Sequence, residues 1–137
     1  DNICIHYTEG VIPYELAKKV ARKKAIVICC LDFPYTVGLT TLVEAFALGI
    51  PVICSRNPNF EIDIDKEEIG ITVEYNDVQG WIDAIRYIAD HPEEARRMGN
   101  NARKLAEERF NLEIFSREIA ESLLEISNIS SKNRTFA

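Results

Sequence analysis

Histidine occurs only twice in this 137-residue chain, and none of its four cysteines falls in the paired spacing that metals and redox centres use. Neither His6 nor His91 has a Ser, Cys or Asp partner at triad spacing, so no hydrolytic triad is indicated. His6 reads as a core histidine in the first apolar run, and His91, just before Pro92 at a helix junction, as a capping residue. Cys4, Cys29, Cys30 and Cys54 lie in or beside apolar runs, and adjacent Cys29 and Cys30 would face opposite sides of a strand. That pattern argues against a zinc site or redox pair and for reduced thiols acting as small hydrophobes. The longest apolar run, residues 25–31, falls far short of the ~20 residues of a spanning helix. No basic start followed by an apolar stretch marks a secretory leader. The two Asn-X-Ser/Thr strings near residues 128 and 133 therefore read as chance matches. Basic residues are outnumbered 16 to 22, for a formal charge of −6. That balance argues against a surface that neutralises many nucleic-acid phosphates, but not against a ligand with far fewer phosphates. The expectation is a soluble, cytoplasmic protein without a transmembrane segment, repeat or low-complexity tract.

What is present suffices for one core: 47% of residues are hydrophobic. Residues 1–126 read as one domain and 127–137, polar and weakly periodic, as a frayed tail. Four short apolar runs, at 2–6, 25–30, 51–55 and 71–75, are separated by segments long enough for crossovers, which predicts one parallel sheet flanked by helices. Pro13 suits a first helical turn, and Leu16, Ala17, Val20 and Ala21 give a stripe to about Lys24, with Arg22-Lys23-Lys24 as its solvated end. Asp77 is placed to cap a helix carrying Trp81, Ile82, Ile85 and Ile88; Pro92 begins another towards Phe110, and Ile114 to Leu124 is amphipathic.

Residues 34–53 carry the most information, reading as loop, helix and buried strand in succession. Gly38 opens a helix whose first N–H groups lack intrahelical partners and attract an anion such as a phosphate. Leu39, Leu42, Val43 and Phe46 share one face by the 3.6 period, and Glu44 lies well away from it. Gly49 is placed to end the helix in a left-handed conformation before the strand at Pro51-Val52-Ile53.

Gly38, Glu44, Ala45, Gly49, Pro51, Val52 and Ile53 resemble the donor-binding half of the retaining glycosyltransferases built from two facing Rossmann-like domains (the GT-B fold, family 4-like). The family pattern has a glutamate, a Gly two positions later and a second glutamate eight positions after the first; Thr36 stands where the first glutamate belongs. Gly70-Ile71-Thr72-Val73, Asn76-Asp77, Met98-Gly99, Ala102-Arg103 and Phe110-Asn111 resemble the family's later part, extending the likeness over roughly residues 11–124. Between Ser55 and Gly70 the customary Gly-Gly falls on Pro58-Asn59 and the customary glutamate on Ile62.

The resemblance implies an α/β, Rossmann-like, partial GT-B donor domain that binds a nucleotide-sugar without a metal or other cofactor and transfers the sugar with retention. It implies Glu44 as acceptor of the ribose hydroxyls, a chemistry that suits a carboxylate facing a vicinal diol. Tyr35, Thr36, Val37, Gly38, Leu39 and Thr40 would bracket the diphosphate and sugar, the N–H groups of Gly38, Leu39 and Thr40 acting as hydrogen-bond donors. Thr36 offers a hydroxyl and no charge, so either Asp32 compensates or the sugar differs. Catalytic residues are not identified; the cationic groups that stabilise the leaving diphosphate, and the domain that binds the unknown acceptor, would precede Asp1. The chain is accordingly expected to be an inactive fragment of a larger enzyme. The rival expectations are a non-catalytic nucleotide-binding or interaction module of the same fold, and a sugar-nucleotide epimerase.

Overall fold

A computed structural model of the chain describes residues 13–134 apart from Phe33 and Tyr35. The run at 2–6, with Cys4 and His6, and the candidate Tyr35 lie outside the described residues. Among the described residues three strands, β1 (Ile26–Ile28), β2 (Val52–Ser55) and β3 (Gly70–Val73), form a parallel sheet in the order β1-β2-β3. Ile28 pairs with Cys54, and Cys54 with Thr72, so the carboxyl ends of all three strands open on one edge. The three apolar runs within the described residues thus pair in parallel, as their spacing predicts.

Among the described residues five helices accompany the sheet: α1 (Pro13–Val20), α2 (Leu39–Ala47), α3 (Val78–Asp90), α4 (Pro92–Arg109) and α5 (Leu112–Arg134). Alternation along β2 divides the interior in two. Val52 and Cys54 face a core made with Leu42, Ala45 and Phe46 of α2 and Ala102, Leu105 and Ala106 of α4. Ile53 faces the other side, against Ala84 and Ile88 of α3 and Ala95 and Met98 of α4. All four β2 residues are buried, which is why a parallel central strand reads as an unbroken apolar run.

The helix boundaries have local causes. Gly49 (φ 67°) ends α2, with its N–H donating to Phe46 O at 2.9 Å and the Ile50 N–H to Ala45 O at 3.0 Å. Its carbonyl meets Gly99 of α4 so closely that a Cβ there would lie 2.3 Å away. Asp77 caps α3 by accepting from the Gly80 N–H at 2.8 Å, as expected. Asn111 does the same for α5 through the Ile114 N–H, at 2.9 Å. His91 joins α3 to α4, its Nδ1 2.9 Å from Tyr87 O, and makes no side-chain cap to α4, whose first position is Pro92.

Two boundaries differ from the sequence expectation. α1 ends at Val20 and Ala21 to Lys24 form a turn, three adjacent cations being a poor continuation of so short a helix. α5 runs to Arg134, eight residues beyond Ile126, where a frayed tail was expected; no Pro or Gly interrupts residues 112–134. Of the apolar positions of α5 up to Ile126, Ile114 is half-buried and Leu112, Phe115, Ile119, Leu123, Leu124 and Ile126 are exposed.

Candidate functional site

The carboxyl edge of the sheet is closed by the start of α2, and Gly38 makes that closure possible. Its φ of 85° is left-handed, and a Cβ there would stand 2.7 Å from Ile28 Cγ2 and 3.3 Å from Cys30 Sγ. Only a residue without a side chain lets the helix begin directly on the end of β1. The first intrahelical bond runs from the Leu42 N–H to Gly38 O at 3.0 Å, leaving the N–H groups of Leu39, Thr40 and Thr41 without helical acceptors. No side chain caps this end. The helix start thus has the unpaired N–H groups that the sequence leads one to expect, with Leu39 and Thr40 exposed at its tip and Val37 and Gly38 half-buried behind them.

Beneath it, Ser55 stitches the strand ends together: its Oγ donates to Cys30 O and accepts from the Cys30 N–H, both at 3.0 Å. Cys30 Sγ points at Val37 O, 3.8 Å away. Burial raises the Cys30 thiol pKa, with the neighbouring Cys29 adding to it, and burial pushes Cys54 up to about 12. Both stay protonated near neutrality and serve as packing groups. No group of three or more potential metal-ligating side chains occurs among the described residues.

Two cavities flank the helix start and separate the candidate residues. On one side, Glu44 and Thr41 of α2 face Leu16, Ala17 and Val20 of α1 across a groove of about 570 Å³ floored by Ile26. Glu44 is exposed, as its helical position predicts. On the other side, Thr36 and Leu39 share a cavity of about 310 Å³ with Asn59, Glu61, Arg109 and Phe110. The structure thus brings Thr36 and Leu39 together, and places Glu44 around the helix from them. Asp32 is exposed beyond β1.

The turn at residues 57–60 shapes the second cavity. Pro58 occupies its second position, the Phe60 N–H donates to Asn57 O at 3.1 Å, and buried Asn57 accepts from the Asn59 N–H at 2.9 Å. Asn59 O accepts from Thr36 Oγ1 at 3.3 Å, so the hydroxyl proton is committed to the loop. Ile62, at the customary glutamate position, is buried in the core.

Sequence reasoning passed over four residues of this edge: Ser55, Glu61, Tyr75 and Arg109. Tyr75 lies just past β3; its hydroxyl is buried without a hydrogen-bond partner among the described residues. Burial raises its pKa, and the Asp32 charge adds to the effect. The one sequence signal available was Glu61, a carboxylate one position before the customary glutamate.

Comparison with known proteins bears on this geometry. The family described as Glycosyl transferases group 1 matches residues 12–105. A D-inositol 3-phosphate glycosyltransferase of Saccharomonospora viridis is 34% identical over 70 residues, 51% of this chain and 16% of that protein. The sucrose-phosphate synthase of Thermosynechococcus elongatus superimposes with a TM-score of 0.73 and 25% identity, covering 88% of this chain and 30% of that one. The chain thus corresponds to less than a third of the length of either relative.

Proposed function

Since the chain belongs to the group 1 glycosyl transferases and has the α/β architecture of a GT-B domain, we propose that it binds the nucleotide-sugar donor of a retaining glycosyltransferase. The observation that carries this reading is the uncapped start of α2, seated on the carboxyl ends of a parallel sheet between two cavities. Ligands of open α/β sheets sit at such ends. The diphosphate lies against the N–H groups of Leu39, Thr40 and Thr41. The nucleoside lies in the groove between α1 and α2, its base against Leu16, Ala17 and Val20 and its ribose on Glu44. The sugar extends past Thr36. No metal is assigned to the reaction, and the acceptor is bound by a part of the enzyme outside this chain.

The chemistry asked of these residues is modest. A helix start contributes ~0.3–1 kcal/mol to an exposed anion, so α2 orients the diphosphate and does not alone hold it tightly. Glu44 adds a charged acceptor that fixes the nucleoside in register. Transfer then needs cationic partners for the leaving diphosphate, supplied by the rest of the enzyme.

The test is titration of the chain with UDP, GDP and ADP, followed by amide chemical shifts. Weak binding with shifts concentrated in residues 36–44 is expected; shifts confined elsewhere contradict the assignment. A non-catalytic module of the same fold is the second reading, favoured by the burial of Ile62 and the commitment of the Thr36 hydroxyl. Donor hydrolysis by the complete protein separates the two.

A further inference from the structure

We propose that the cavity of about 310 Å³ between the start of α2 and the turn at residues 57–60 is a subsite for a neutral sugar ring, with the Glu61 carboxylate as its specificity-determining acceptor. This deepens the donor-binding reading and rests on it.

The acidic residues of the segment 61–68 are not equivalent. Asp63 accepts from the Lys66 N–H, Asp65 from the Thr72 N–H, Glu67 pairs with Arg109 and Glu68 with Arg97. Glu61 has no ion pair or hydrogen bond among the described residues, and it lines the cavity. Its orientation follows from its neighbour: Ile62 is drawn into the core with Phe46, Leu105 and Ala106, which leaves Glu61 on the outward side.

Thr36 cannot supply the missing acceptor equally well, because its hydroxyl is already tied to Asn59 O and it bears no charge. A carboxylate accepts hydrogen bonds from two adjacent hydroxyls at once, the arrangement a pyranose ring presents. Phe60 and Phe110, half-buried on the cavity wall, offer flat apolar surface for the C–H face of such a ring. Arg109 lines the same cavity and can offer N–H donors, and its charge is shared with Glu67, 3.6 Å away. An anionic ligand would therefore meet the uncompensated charge of Glu61, and a neutral polyol would not.

The hydroxylated ring can belong to the donor or to the acceptor, and both have the same chemistry. The test uses the complete protein, wild type and Glu61→Gln, titrated calorimetrically with UDP, GDP and ADP, with UDP-glucose, GDP-mannose and ADP-glucose, and with methyl glucoside in the presence of saturating nucleotide. If the ring is the donor's, Glu61→Gln keeps the bare nucleotide affinity and loses about tenfold or more for the nucleotide sugar, as expected for removing a charged acceptor. If it is the acceptor's, both nucleotide affinities stay unchanged and glucoside binding falls by a similar factor. Unchanged binding of all three classes overturns the assignment of Glu61 alone, as does a loss that is equal for bare nucleotide and nucleotide sugar. A wild-type protein that binds none of the nucleotide sugars overturns the donor-binding reading and this inference together.

Discussion

Replacing Gly38 by alanine tests whether the start of α2 is held where it is by the absence of a side chain. Two penalties follow from the structure. A non-glycine residue in the left-handed region costs roughly 1–2 kcal/mol, and Gly38 has φ 85°. The added Cβ would also lie 2.7 Å from Ile28 Cγ2, closer than two carbons approach, and Ile28 is a buried residue with little room to yield. Overpacking of this kind costs about 1–3 kcal/mol. The sum is about 2–5 kcal/mol, measurable by urea unfolding of the 137-residue chain monitored by far-ultraviolet circular dichroism. The parts can be separated. In a double-mutant cycle, Ile28→Ala removes the methyl that is struck but leaves φ as it was. Coupling of about 1 kcal/mol or more between the two substitutions is expected, with a residue of about 1–2 kcal/mol that Ile28→Ala does not relieve. A Gly38→Ala variant destabilised by less than about 0.5 kcal/mol, the range of an ordinary surface change, would refute the argument. So would full relief by Ile28→Ala, which would show that the backbone conformation costs nothing.

Glu44→Gln in the complete protein should weaken bare nucleotide and nucleotide sugar alike, by about 1.5–3 kcal/mol less a discount for exposure, whereas Thr36→Ala should spare the bare nucleotide; calorimetry on both ligands decides. Phe46→Ala, removing a fully buried ring at the α2–α4 contact, should cost about 3–5 kcal/mol in urea unfolding, and a loss under about 1 kcal/mol would contradict its place in the core. Cys54 is raised from 9.0 to about 12 by burial, so the unfolded chain ionises first: the stabilisation is whole below about pH 9 and is lost as pH rises towards about 12. Cys54→Ala should flatten that part of the stability profile, and an unchanged slope would mean that Cys54 is not the titrating group.

The parts of the fold that were legible in the sequence are those decided within a few residues. β2 announced itself by four apolar residues between Gly49 and Arg56, because a strand covered on both faces needs no polar alternation. Gly38 and Gly49 marked the ends of α2 since each occupies a backbone conformation few other residues tolerate. The exposed position of Glu44 followed from the 3.6-residue period alone. The rest of the site depends on tertiary placement. Glu61 and Arg109 are 48 positions apart and meet only because α4 returns across α2. Nor does any local pattern reveal that Ile62 rather than its neighbour turns inward, that the Thr36 hydroxyl is taken by Asn59, or that the Tyr75 hydroxyl ends up buried.

Ser55, with its two bonds to Cys30, closes the last position of β2, the strand that is paired on both sides among the described residues. Amides of such a strand exchange with solvent only through the largest openings of a domain, while a link such as Thr36 to Asn59, a single exposed hydrogen bond, opens for about 1 kcal/mol. The central strand and the rim of the second cavity therefore live on different clocks. Deuterium should enter β2, at residues 52–55, on the timescale of global unfolding and the cavity rim, at residues 36–40 and 57–61, orders of magnitude sooner. A ligand arriving there meets a rim that has time to refit around it, carried on a sheet that does not move during its visit.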